Sequence, residues 1–399
     1  MIPLPLLRDV DFRRLLAGAA FNQQGMTGEH VVIGLLVLRL TDSTAWVGIT
    51  LAIYFLPFFV FGMLSGVVAD WIDRRKLLRG IECAIIANLL LFALCLTFDL
   101  TALWLLIAFT LVSGSLRAMH QPVRASYAYD IAGPQQVTAA IGLVNLGSRC
   151  GQLFGALAAG AIMHRYGASA ALLTVAAGHG IAFLLFSGFR TAGAAAVTLR
   201  APIRQNLREY AAELGSNRVL LMLLSVTASI EIFGFSFATT LPELAVMRST
   251  LGADGLGLMH AARASGGIAA GLAFSLVGAI QHRGIIFLCV IVAFGSCLML
   301  LSIESPLMLT LLAIFLVTSM ATSSDILTQS MMQLSVANHL RGRAMGVWVL
   351  AIGAAPLGHL QMGAFAEWAG VGNALLANGA ALVATGLVMA LAVPALRRL

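Results

Sequence analysis

Several ionisable side chains stand inside stretches that are otherwise fit for lipid. Glu29 and His30 follow Asn22, Gln23 and Gln24 in the segment NQQGMTGEHVV, and Glu231 interrupts TASIEIFGF. Arg117 and His120 share one apolar run, and Arg149, Arg263 and Asp325 each lie in another. An ionised group at the centre of a membrane helix costs at least about 2.5–3.5 kcal/mol, so such residues are functional suspects by default. A carboxylate in a low-dielectric cavity can carry a proton, and once deprotonated it can hold a cation. The first role assigns Glu29 and Glu231 to proton or cation recognition. Arg117, Arg149 and Arg263 then either bind anionic groups of a substrate or pair with those acids. The competing reading is an interior ion-pair network that only holds the fold together. His260 and His359 read more simply as packing residues.

The elements that must position these groups follow from composition. The chain has 399 residues, 60% of them hydrophobic and 10% charged. A soluble protein averages about 45–50% apolar and about 25% charged residues, and one this apolar has too little polar surface to face water. Apolar windows of membrane-spanning length place helices near 14–40, 45–69, 77–98, 102–125, 136–163 and 169–189. A second set falls near 218–247, 255–280, 284–303, 306–332, 343–367 and 372–396. The fold class expected is therefore an all-α polytopic membrane protein with twelve transmembrane helices in two pseudo-symmetric halves. Their limits are 1–189 and 218–399, with a linker over 190–217. In that linker Ile203, Leu207, Tyr210 and Leu214 recur at helical spacing and predict an interfacial amphipathic helix.

Charge gives orientation. Arg8, Arg13 and Arg14, the Arg74–Lys76 cluster, the linker arginines, Arg283, Arg341, Arg343, Arg397 and Arg398 all fall on one side. Arg39, Arg165 and Arg248 fall on the other. The positive-inside rule puts both termini and the linker in the cytoplasm. It also accounts for the net charge of +7 without a nucleic-acid partner. The arginines ahead of the first apolar run lack a small-residue cleavage site, so that helix is expected to serve as its own insertion signal. Cys83, Cys95, Cys150, Cys289 and Cys297 lie inside apolar segments without metal-ligand spacing, so neither a disulfide framework nor a metal site is expected. The halves also echo one another. Gly155, Gly160 and Gly167 in GALAAGAIMHRYG match Gly358, Gly363 and Gly370 in GHLQMGAFAEWAG, each pair 203 residues apart. By the same spacing, Glu29 and Glu231 are expected at near-equivalent positions.

The loop GVVADWIDRRKLL resembles the signature of the major facilitator superfamily, a Gly, three residues, an Asp and then a basic cluster. The match is Gly66, Asp70, Arg74, Arg75 and Lys76, with departures at Trp71, where a basic residue is usual, and at Asp73, where Gly is usual. The segments LLRDVDFRRLLAG and RGRAMGVW are similar to the subgroup containing enterobactin-type siderophore exporters and drug effluxers. The resemblance covers essentially the whole chain. It implies that helices 1, 4, 7 and 10 line a central cavity, and that Gly66, Asp70 and Arg74 belong to a latch on the cytoplasmic side. Asp70 is expected to cap a helix N-terminus, and Asp130 is the candidate partner of Arg74. Gly142, Gly151, Gly155 and Gly160 fall where the antiporter signature of drug exporters has glycines, while Ala156 and Ala159 replace its Pro and Gly. Gly147, Gly151 and Gly155 form a small-residue stripe that allows close helix packing.

The resulting expectation is a proton-coupled exporter of a small amphiphilic organic molecule, a drug or a siderophore, working by alternating access. It would act as a monomer in the bacterial inner membrane. Its only partners would be substrate, protons and lipid, and the proton gradient would stand in for a cofactor. An importer or a lipid flippase of the same fold is the alternative within transport, and a membrane sensor or scaffold the alternative outside it. No ATP-binding, metalloprotease or serine-hydrolase motif is present, so an enzyme is not expected.

Overall fold

The computed structural model describes residues 4–71, 73–191, 215, 217–249, 251–277, 282–335, 348 and 350–392; over 60–71 the helix is described without its side chains. Every regular element among the described residues is helical. After a short helix at Leu4–Arg8, the longer helices in chain order are α1 (Val10–Thr41), α2 (Thr44–Trp71), α3 (Arg74–Thr97), α4 (Leu103–Gly133), α5 (134–166) and α6 (168–187). They continue with α7 (Arg218–Arg248), α8 (Ala253–Val277), α9 (Arg283–Ser302), α10 (Leu307–Leu334), α11 (Ala355–Ala369) and α12 (Val371–Ala392). The residues of the expected amphipathic helix in the linker, 203–214, and residues 336–347 and 349 ahead of α11 lie outside the described residues. Outward-facing side chains are apolar well beyond what water tolerates, for example Leu91 at 61%, Met308 at 78% and Leu276 at 85% exposed. Lipid is the solvent that fits such a surface.

Local chemistry sets the helix limits. Asp9 caps α1 by accepting from the Phe12 amide at 2.9 Å, and Asn217 caps α7 by accepting from Leu220 at 3.1 Å. Gly133 (φ 68°) and Gly167 (φ 84°) break what is otherwise one continuous helical run into α4, α5 and α6. Gly370 (φ 86°) separates α11 from α12 in the same way. Gly167 and Gly370 are the last pair of the glycine echo, and each supplies a left-handed backbone that a side chain would strain. α4 runs eight residues past the window read from hydropathy. Arg124 lies inside this helix and is only 5% exposed.

The cap of α3 is Asp73, not Asp70. Its carboxylate accepts from the Arg75 amide at 2.9 Å and from the Arg75 guanidinium at 2.7 Å. This explains the departure from the family's Gly at that position. The Arg75 hydrogen bonds hold the Asp73 carboxyl below its ordinary range. Its contribution is thus present above the unfolded carboxyl value and is lost as pH falls through the lower folded one. Asp73→Ala is expected to cost about 0.5–2 kcal/mol at neutral pH. Melting curves of wild type and variant should differ at neutral pH and converge in acid, and an equal gap at both would remove the capping account.

The chain forms two compact units. The first comprises 1–42, 56–197 and 245–265, and the second 43–55, 198–244 and 266–399. In the first, the glycine stripe of α5 lies against α1. A Cβ at Gly151 would stand 2.7 Å from the Ala20 carbonyl carbon, and one at Gly155 would stand 2.7 Å from the Gln24 Cα. Gly160 meets Gly257 of α8 closely enough that a Cβ would lie 3.0 Å from the Gly257 Cα. The second unit repeats both contacts. Gly358 of α11 lies against the Glu231 and Ile232 backbone of α7, and Gly363 meets Gly48 of α2. The echo in space therefore pairs Gln24, not Glu29, with Glu231.

Candidate functional site

The buried charges of the first unit form one connected chain. Arg117 Nη2 on α4 donates to Glu29 Oε2 on α1 at 2.5 Å and lies 3.2 Å from His179 Nε2 on α6. His179 Nδ1 is 2.7 Å from Glu82 Oε2 on α3. The other oxygen of Glu82 accepts from Asn22 Nδ2 at 2.7 Å and lies 3.1 Å from His120 Nε2. None of these six residues is more than 4% exposed. Gly25 on α1 makes the arrangement possible, because a Cβ there would collide with the His179 ring. Satisfying every partner matters here, since removing one member of a buried ion pair strands the other in a low dielectric. Glu29 Oε1 is buried and takes no hydrogen bond from the guanidinium. The Ser113 hydroxyl hydrogen-bonds this carboxylate and also accepts from Asn88 at 3.0 Å.

A second group in the same unit is cationic. Arg149 on α5 and Arg263 on α8 lie close enough for their charges to act on one another. His260 feels both Arg263 and His30. Arg149 also donates to Gln152 Oε1 at 3.3 Å, and Gln152 reaches Gln23 at 3.1 Å. Like charges in a membrane interior are costly, and an anion between them offsets that cost.

The second unit places its acids differently. Glu231 is 7% exposed and sits in a π-turn, Ile230–Gly234, where α7 leaves regular geometry; a 3-10 stretch follows from Phe235 to Thr240. Such π-turns are frequent at functional sites. Asp325 on α10 acts on Glu231 through its charge. His359 is 3% exposed. Its ring stacks on Phe55 with centroids 5.1 Å apart, and its Nδ1 lies 2.9 Å from the Thr239 hydroxyl.

The profile of one protein family, described as transmembrane secretion effectors, matches residues 3–398. The chain belongs to that family. No curated protein sequence matches it significantly. Among crystal structures, the peptide transporter POT in complex with sulfate aligns with a TM-score of 0.79 at 14% identity, covering 97% of this chain and 95% of the other. The nucleoside transporter NupG aligns at 0.75 and 14%, covering 95% and 98%. A bacterial homologue of the human lysosomal transporter Spinster aligns at 0.67 and 14%, covering 98% and 96%. The secretion effector chain thus has the major facilitator fold of membrane transporters.

Against this geometry, the residues singled out from the sequence divide into groups. Glu29, Arg117 and His120 meet in the buried chain, Arg149 and Arg263 in the cationic group, and Glu231 and Asp325 in the second unit. Arg74 and Asp130 form the expected pair at 2.5 Å, joining α3 to α4. Gly66 and Asp70 lie in α2, and their side chains are outside the described residues. Glu82 and His179 were missed. Each is an ionisable residue inside a window already read as a span, so the rule that flagged Glu29 applied equally to them. No group of metal-ligating side chains is found among the described residues.

Proposed function

We propose that this secretion effector is a proton-coupled exporter of a small amphiphilic organic molecule, moving it by alternating access. The observation that carries this reading is Glu29, a fully buried carboxylate inside a membrane span that meets Arg117 through one oxygen. An ionisable group at that depth calls for an explanation, and a carboxyl that periodically takes a proton is one. The family description as secretion effectors supports export. Arg149 and Arg263 would receive an anionic group of a substrate. Buried groups of both signs suit a zwitterionic or amphiphilic compound. The major facilitator neighbours that carry peptides and nucleosides fit a small organic cargo. We further propose that both termini and the linker face the cytoplasm of a bacterial inner membrane, that the protein works as a monomer, and that Gly66, Asp70, Arg74 and Asp130 latch the cytoplasmic side.

The test uses the protein reconstituted in liposomes with a trapped pH dye and a panel of zwitterionic, anionic and cationic amphiphiles. Wild type is expected to dissipate an imposed pH gradient only when a transported compound is present, and Glu29→Gln to lose about a hundredfold of that flux, the low end of what one proton-transfer group contributes. Equal gradient-driven flux in Glu29→Gln would remove Glu29 from coupling.

A further inference from the structure

Behind Glu29 lies a pair of residues with no part in the reading above. The His179 imidazole is held between an acceptor and a donor of fixed character. Glu82, at Nδ1, can only accept when ionised, and Arg117, at Nε2, can only donate. His179 is therefore the neutral Nδ1–H tautomer, with its Nε2 lone pair taken by the guanidinium. Glu82 of α3 and Arg117 of α4 meet it directly, and through them it is linked to Glu29 of α1 and to His120 and Arg124 of α4. With both imidazoles neutral, Glu29 and Glu82 balance Arg117 and Arg124, so the cluster is neutral and one added proton changes its charge.

We propose that His179 is a proton-binding site, taking a proton at Nε2 and holding it as an imidazolium against Glu82, and that the same event turns Arg117 fully onto Glu29. The step balances. The Nε2 lone pair accepts the proton and the Arg117 hydrogen bond to Nε2 breaks, because two donors then face each other. An Arg117 N–H in turn swings to Glu29 Oε1, the oxygen that takes no hydrogen bond from the guanidinium. Glu29 passes from one guanidinium contact at Oε2 to a two-pronged grip on both oxygens, the strongest form of this pair. Protonation on α3 and α6 is thereby read out on α1, through a guanidinium already shared between the two sites. His179 binds the proton and Arg117 acts as a positioning residue. Use of this site to drive transport rests on the proton coupling proposed above; the titration itself does not.

The experiment is nitrogen NMR of the full chain, labelled at its histidine imidazoles, in lipid nanodiscs across a pH series. At alkaline pH one imidazole is expected as the Nδ1–H tautomer, the minor form of free imidazole, and to become imidazolium on acidification. That signal should be missing from His179→Gln. In Glu82→Gln, loss of the adjacent opposite charge should displace its titration by at least about tenfold in proton concentration. If His179→Gln does not insert, the tautomer itself and the Glu82→Gln displacement still identify the residue. An imidazole that stays neutral while the protein remains folded, or a titration unmoved by Glu82→Gln, would overturn the site. A His179 that titrates in a protein whose transport ignores the pH gradient would instead refute the coupling and leave the site standing.

Discussion

Arg117→Met is expected to cost the first unit about 3–5 kcal/mol, the usual penalty for breaking a buried ion pair by removing one partner. The reason lies in what Arg117 touches. Its Nη2 serves Glu29 Oε2 and His179 Nε2 together, and Glu29 is 0% exposed, so no water can replace the guanidinium. Met keeps much of the volume and removes only the charge and the donors. The double variant Arg117→Met, Glu29→Gln should recover most of the loss, because it takes out both charges at once. Denaturation of the purified protein in detergent reads both values. A double variant no more stable than the single one would mean that Arg117 matters through packing, not charge.

Gly151→Ala is expected to destabilise by roughly 3 kcal/mol, the upper part of the range for overpacking, and to reduce the amount of inserted protein. The added carbon would press on the Ala20 backbone of α1, 2.7 Å from its carbonyl carbon. Backbone cannot turn away as a side chain can, so α5 and α1 must separate. Gly142→Ala is the matched control on the same helix. Nothing lies within 4 Å of that position, and the change should leave stability the same or slightly higher. Thermal melts of the two variants check this. Equal losses would mean that the glycines act through the backbone of α5 alone and that its approach to α1 is not what they permit.

Much of this arrangement was legible in the sequence. Helix positions follow from hydropathy, and Asp130 is the candidate partner of Arg74 within the cytoplasmic latch that the family resemblance implies. The glycine stripe and the Gly167–Gly370 turns follow from residue spacing, because only glycine suits a backbone-to-backbone contact or a positive φ. Glu82 and His179 obeyed the same rule as Glu29, and neither has the run of polar neighbours that surrounds Glu29. Which acid meets which base was not legible. It depends on helix rotation about the bundle axis, and a difference of one residue moves a side chain by about 100°. The equivalence of Glu29 and Glu231 failed for a related reason. One offset fits α5 and α11, but the path from α1 to α5 is longer by roughly one helical turn than the path from α7 to α11, which moves the counterpart of Glu231 back to Gln24. Asp73 was legible as a departure from the family pattern, and its meaning appeared only with the capping geometry.

The central claim, that this secretion effector exports a small organic compound using buried carboxylate chemistry, is tested most directly by profiling small molecules in cells and medium. The comparison is between cells making wild type, Glu29→Gln or neither, at matched membrane levels. The account predicts an amphiphilic compound enriched in the medium and depleted in the cells with wild type alone. Depletion of a compound from the medium, equal export by Glu29→Gln, or no difference among the three cultures would contradict it.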